Sequence, residues 1–231
     1  MYVLHGTIRK RIETMRIRLK IDWKALTQLP GSKDLSSKKI LILDSALRII
    51  SEKGLHQLSI AELSRESGIS KPLILYHYPT LDSIIEELFF FSGKMARYFI
   101  EKNLNREASF ETKVMQMIKS LFEWTLYNKE VSEFFILMFH SGTKNPQMQK
   151  ILKEILQTAH DLWERIFLES MRYKSLEELR IHINGLQSMI TGSLIIMIST
   201  NRTQDANDLL TEIRLNAEAL LGVELPVFEL N

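Results

Sequence analysis

A chain of 231 residues, 45% hydrophobic and 25% charged, has enough apolar material to bury a real core, which excludes a disordered or fibrous protein. It contains no cysteine, which excludes disulfides, thiolate metal sites and a cysteine nucleophile. The net charge of +2 is unevenly spread: residues 1–36 hold eight Lys or Arg against three Asp or Glu, a net +5 that leaves −3 for the remainder.

The first stretch interleaves Arg9, Lys10, Arg11, Arg16, Arg18 and Lys20 with Ile8, Ile12, Met15, Ile17, Leu19 and Ile21, and ends at Pro30-Gly31-Ser32. Two readings stand side by side. One is a basic arm lying along nucleic-acid phosphates. The other is a solvated leader with no partner. No apolar core followed by a small-residue cleavage site occurs near the N-terminus. Unbroken apolar runs, such as Phe134 to Phe139 and Leu194 to Ile198, are far short of the ~20 residues that span a bilayer. The expected protein is soluble and cytoplasmic, with no membrane partner.

Ser36-Ser37-Lys38-Lys39 opens a first helix, in which Leu43, Ala46, Leu47 and Ile50 recur at i, i+3, i+4 and i+7. Gly54 ends it. Ser59-Ile60-Ala61-Glu62 reads as a capping box starting a second helix of two turns, closed by Gly68. Ser70 then caps a third, with Lys71-Pro72 in its first turn, where a missing N–H costs nothing. Ile60, Leu63, Ile69, Ile74 and Tyr78 are predicted to close a small core over the first helix, with Leu73 and Leu75 facing outward. Two short helices joined by a Gly-containing turn are the arrangement that sets the second helix into a DNA major groove.

This segment resembles the N-terminal helix-turn-helix of the TetR family of bacterial transcription regulators, over about a fifth of the chain and without a gap. The resemblance rests on Ile42-Leu43-Asp44-Ser45-Ala46-Leu47, Glu52-Lys53-Gly54, Ser59, Gly68-Ile69-Ser70-Lys71 and His77-Tyr78-Pro79-Thr80. It implies an all-α protein: a three-helix DNA-binding unit over 37–82, then a larger helical ligand-binding and dimerisation domain over 83–231. Double-stranded DNA is the implied partner. The candidate contacts are Lys38, Lys39, Ser59, Ser70, Lys71, Leu73, Tyr76 and His77, with capping as the other reading of both serines. Two positions depart from the family. Leu75 stands where Tyr is usual and Leu81 where Lys is usual, so two phosphate anchors are missing.

Beyond a connecting helix from Asp82 to Leu104, helices are predicted from Ser109 to Tyr127, Val131 to His140, Pro146 through Met171, Ser175 to Ser199, and Asp205 to Leu221. The resemblance implies a small-molecule pocket in this region, which Trp124, Phe134, Met138, Phe139, Trp163 and Phe167 would wall; aromatic and Met side chains suit a hydrophobic ligand. They suit an ordinary core equally well. Leu186, Met189, Ile190, Leu194 and Met197 fill more than one side of their helix, with Gly185 and Gly192 beside them. Packing against a second copy would bury the excess, which matches the homodimer the resemblance implies.

No catalyst is expected. The six histidines lack metalloenzyme spacing, and neither a Gly-rich phosphate loop nor a Gly-x-Ser-x-Gly elbow occurs. No cofactor or metal is implied. The functional expectation is a dimeric repressor on a palindromic operator, released by a small molecule. The alternative is a dimeric ligand-binding or protein-interaction module with weak or nonspecific DNA binding.

Overall fold

The computed structural model describes residues 36–170, 173 and 175–230; the basic segment and Met171 lie outside them. Among the described residues there are nine α-helices and no strand. They are α1 (Ser37–Lys53), α2 (Ile60–Ser67), α3 (Lys71–His77), α4 (Leu81–Asn103) and α5 (Phe110–Tyr127), then α6 (Lys129–Gly142), α7 (Pro146–Glu169), α8 (Leu176–Ser199) and α9 (Ala206–Leu221).

Local chemistry sets most boundaries. The hydroxyls of Ser36, Ser109 and Ser175 accept from the backbone N–H three residues on, and Asn145 accepts from Gln147 and Met148. The predicted box at Ser59 is only half formed. Its hydroxyl accepts from the Glu62 N–H at 3.1 Å, but the Glu62 carboxylate turns away to Lys53 and Arg65. The reciprocal box sits instead at Thr80 and Ser83, opening α4. Ser70 occupies the N-cap of α3, yet its hydroxyl makes no capping bond.

Two glycines hold backbone that other residues resist. Gly68 is left-handed at φ 68°, ψ 9°, and a Cβ there would meet open space. Gly54 sits at φ 86°, ψ 158°, a region that is essentially glycine's alone, and a Cβ there would lie 3.0 Å from the His56 ring. Gly54→Ala is therefore expected to cost about 1–3 kcal/mol, toward the top of that range. Gly68→Ala should cost only ~1–2 kcal/mol. Urea-unfolding midpoints of the two variants check the order.

The core falls into two clusters. Leu43, Ala46, Leu63, Ile69, Ile74 and Tyr78 close the head as predicted, with Ile60 and Leu73 packed at its edge. The same cluster runs on through Leu88, Phe89 and Phe91 of α4 into Val131, Phe134 and Met138 of α6. The head is thus continuous with the body rather than hung from it, because α1 packs on α4 and α6 as well as on α2. The second cluster joins α5, the end of α7, α8 and α9, and the tail closes over it through Leu225.

Candidate DNA-reading head and ligand cavity

α3 projects from the head on a short turn, and its outer face is open. Tyr76 is 80% exposed, and Lys71 and Leu75 are exposed beside it. His77 is half-buried with its ring edge-on to Tyr76 at 5.3 Å. The uncommitted hydroxyl of Ser70 stands at the entry to the helix. Lys38 is exposed.

The other candidate contacts are differently placed. The Ser59 hydroxyl is used in capping. Leu73 does not face outward, because one side of α3 must close the head core and Leu73 packs partly against it. Lys39 is tied to the connecting helix: its ammonium lies 3.7 Å from Glu87 and 5.3 Å from the centre of the Tyr78 ring. Burial first, and then the Glu87 carboxylate, push the Tyr78 phenol far above its usual range. Leu81, one of the two departures, packs against the head core at the first position of α4.

An ion-pair network braces α1 against α2. Arg48 bonds Asp44 at 2.7 Å and Glu66 at 2.9 Å, while Glu62 accepts from Lys53 at 2.6 Å and from Arg65 Nε at 2.9 Å. Arg65, and then Lys53, hold the Glu62 carboxyl down at about 2. A depressed carboxylate stabilises the fold above its unfolded value and loses that contribution as pH falls through the folded one. The melting-temperature gap between wild type and Glu62→Gln should therefore hold above about pH 4.5 and close towards pH 2. The gap will be small, because the network is solvent-exposed.

Behind the head, α4, α5, α6, α7 and α8 enclose a cavity of about 540 Å³. Of the six aromatic and Met candidates, Trp124, Phe139 and Trp163 line it. The other three are core. Phe134 stacks on Phe89 with centroids 4.3 Å apart, Met138 is buried in the same cluster, and Phe167 packs edge-on against Phe110 in the second. Sequence reasoning missed the contribution of α4: Phe90, Gly93, Lys94, Arg97 and Tyr98 all reach the cavity. Gly93 was the available signal, a lone glycine inside a helical pattern. A Cβ there would lie 2.9 Å from Ile155 on α7, so the glycine sets how closely α4 and α7 approach.

Polar groups are sparse on the inner wall. Gln187 is turned to the Leu156 carbonyl at 3.1 Å and Ser132 to that of Thr125 at 3.3 Å. Charge gathers along α4. The Lys94 ammonium lies 4.1 Å from the centre of the Phe90 ring, and burial lowers its pKa. Arg97 bonds Glu101 at 3.0 Å, and Arg165 reaches the same carboxylate at 3.6 Å. His140 is exposed. His160, Asp161 and Glu164 bring ligand-type atoms within 4.8 Å of one another on α7, but Asp161 is exposed and already engaged by Gln157.

Most of the expected interface residues turn inward in the protomer. Leu186, Ile190 and Met197 are buried within the protomer, Ile190 and Leu194 line the cavity, and Met189 is half-buried. These side chains serve the core and cavity because α8 packs against α5, α6, α7 and α9. Gly185 makes its close approach inside the protomer, against Leu220. The apolar surface left uncovered is the opposite face: Ile181 (61% exposed) and Ile196 (53%) on α8, and Leu215 (51%) on α9. Gly192, on the same helix, has nothing within 4 Å of where a Cβ would stand. α8 is long and apolar enough to cross a membrane by length and composition, with only 22% of its most apolar window buried.

Residues 42–88 match the family profile of bacterial regulatory proteins, tetR family. The fatty acid metabolism regulator protein of Bacillus subtilis is 19% identical over 165 residues, 71% of this chain and 82% of that one. The same fold occurs in a transcriptional regulator from Saccharomonospora viridis in complex with choline, with TM-score 0.70, 17% identity, and 80% of this chain matched to 97% of that one. It occurs also in FadR of Bacillus subtilis in complex with stearoyl-CoA, with TM-score 0.62, 16% identity, and 75% of this chain matched to 96% of that one. A helix-turn-helix head built on a helical body defines a DNA-binding transcription regulator, not an enzyme. Residues 42–88 are thus a tetR-family segment, on a body that shares its fold with solved regulators of that family.

Proposed function

We propose that the protein is a homodimeric repressor that binds a palindromic operator and is released when a small molecule fills the cavity. The observation that carries this reading is the double role of α4. Glu87 holds Lys39 of the head, and one turn later Phe90 lines the cavity. A ligand that shifts α4 acts on the head through rigid helix and shared core, and the two binding events are coupled to the extent that it prefers one placement of α4. Ligands on proteins of the same fold, stearoyl-CoA on one and choline on another, support a small-molecule site here.

Ser70, Lys71, Tyr76 and His77 are the proposed DNA contacts of α3, with Lys38 on the flanking phosphates. Leu75 is suited to a thymine methyl, not to a bidentate hydrogen bond. The dimer face is proposed at Ile181, Ile196 and Leu215, around Gly192. Two-fold symmetry would then set paired α3 helices on half-sites ~34–36 Å apart.

Selection from a random duplex pool at physiological salt tests the DNA reading. An enriched palindrome bound far above random DNA is the expected result. The apolar replacements at Leu75 and Leu81 favour a second reading, a dimeric ligand-binding module without sequence preference. Folded protein that enriches nothing would decide for it.

A further inference from the structure

The head uses most of its positive charge internally. Residues 36–82 hold six Lys or Arg against five Asp or Glu. Four of the six are in ion pairs: Lys39 with Glu87, Arg48 with Asp44 and Glu66, and both Lys53 and Arg65 with Glu62. A cation paired in this way presents little net charge to a phosphate. Among the described residues of the head, Lys38 and Lys71 are the exposed Lys or Arg side chains in no ion pair. The outer face of α3 otherwise offers Leu75 and Tyr76, and Leu81 is turned to the core. Two such cations on each of two heads are fewer than the ~6–10 phosphate contacts behind strongly salt-dependent DNA binding.

The charge that the head lacks lies immediately upstream, in the segment of net +5. Its point of attachment is fixed by the fold. Ser36 caps α1, and three residues on, the Lys39 ammonium lies 5.3 Å from the centre of the Tyr78 ring. Tyr78 is the C-cap of α3. The chain therefore joins the head beside the end of the helix proposed to read DNA. Lys20 precedes Ser36 by sixteen residues, which reach at most ~50 Å when extended. That is longer than one turn of duplex, ~34 Å. The cations between Arg9 and Lys20 are thus within reach of the phosphates on either side of a groove that α3 occupies.

We propose that residues 9–20 are the main phosphate-binding element of the protein, with Arg9, Lys10, Arg11, Arg16, Arg18 and Lys20 on the backbone of double-stranded DNA. The inference rests on the DNA-binding reading given above. It divides the labour between two parts of the chain. Contacts of α3 with base edges carry sequence choice, while the upstream segment carries affinity that is indifferent to sequence. Release of counterions from the neutralised phosphates is the source of that affinity, so salt is its direct readout.

The test uses the full chain and a random-sequence duplex of about 30 base pairs, titrated at several salt concentrations. Between ~50 and ~200 mM salt the native chain should lose about 10³-fold or more in affinity, the mark of about six or more phosphate contacts. A full-length variant combining R9Q, K10Q, R11Q, R16Q, R18Q and K20Q is left with Lys38 and Lys71 on each head. It should lose only about 10²-fold over the same range and bind about tenfold or more weakly at ~100 mM. Circular dichroism checks that the variant keeps its helices. Should it not, the salt dependence of the native chain decides alone. A native chain that loses no more than about 10²-fold, or a variant with the native salt dependence, would overturn the proposal. So would phosphatidylglycerol vesicles that bind the native chain more tightly than the duplex and lose it with the same substitutions, which would make the segment a membrane element. The duplex carries no operator, so a failed operator selection leaves this proposal standing. An unchanged salt dependence in the variant, conversely, leaves the operator reading intact. Native protein that binds no duplex even at ~50 mM salt overturns both.

Discussion

Phe134→Ala should lower the free energy of unfolding by about 3–5 kcal/mol, the range for deleting a fully buried aromatic ring. The ring is 1% exposed and stacks on Phe89 with planes 26° apart, so its removal leaves a void walled by another ring that cannot follow it. Its neighbours belong to the cluster that joins α4 and α6 to the head. The loss should therefore appear as one shifted transition, followed in urea by circular dichroism, because head and body share this cluster and unfold together. Phe139→Ala is the contrast. That ring faces the cavity and is only partly buried, so truncation should cost clearly less stability and change ligand binding instead. A loss below about 1 kcal/mol for Phe134→Ala would contradict the packing described, since even a single buried methylene is worth ~0.8 kcal/mol.

Those two phenylalanines also mark where the sequence stops being legible. Periodicity and capping located the helices, because Ser36, Ser109 and Ser175 act locally, Pro146 suits a first turn, and α1 shows its apolar stripe on its own. The same signals do not tell a cavity wall from a core. Phe134 and Phe139 are one turn and a half apart on α6, equally apolar, and differ only in what α4 and α7 place opposite them. α8 misled for a related reason. Its apolar residues run nearly all round, and the excess over one face was assigned to Leu186, Ile190 and Met197, whereas the fold buries those and leaves Ile181 and Ile196 outside. Charged side chains are harder still. Glu62 has the spacing of a capping-box residue, but Lys53 and Arg65 offer full charges within reach, and a charge-assisted bond outcompetes a neutral backbone N–H. Lys39 reads as a phosphate anchor until the fold sets Glu87 beside it.

On the proposed dimer face, Ile196→Glu should hold the protein as a monomer and weaken binding to the proposed operator by a factor of about 10²–10⁴, the range by which joining two weak sites multiplies affinity. The side chain is more than half exposed in the protomer and touches neither the cavity nor the buried clusters, so the substitution leaves the protomer's own core intact. Its effect on melting should be within about 0.5 kcal/mol if measured at concentrations where the wild type is also dissociated. Across a two-fold face the same position recurs on both copies or lies close to its mate. Two carboxylates would then enter an apolar surface formed by Ile181, Leu215 and the open backbone at Gly192 with no cation named among them. Removing unpaired charge from water costs several kcal/mol per ion, enough to undo association of this kind. Sedimentation equilibrium reads the oligomeric state, and operator titration of the same preparation reads the affinity. Leu215→Glu, on the neighbouring helix, should behave alike. If both variants stay dimeric at micromolar concentration, this face does not join the subunits, and the apolar surface of α8 and α9 answers to something else.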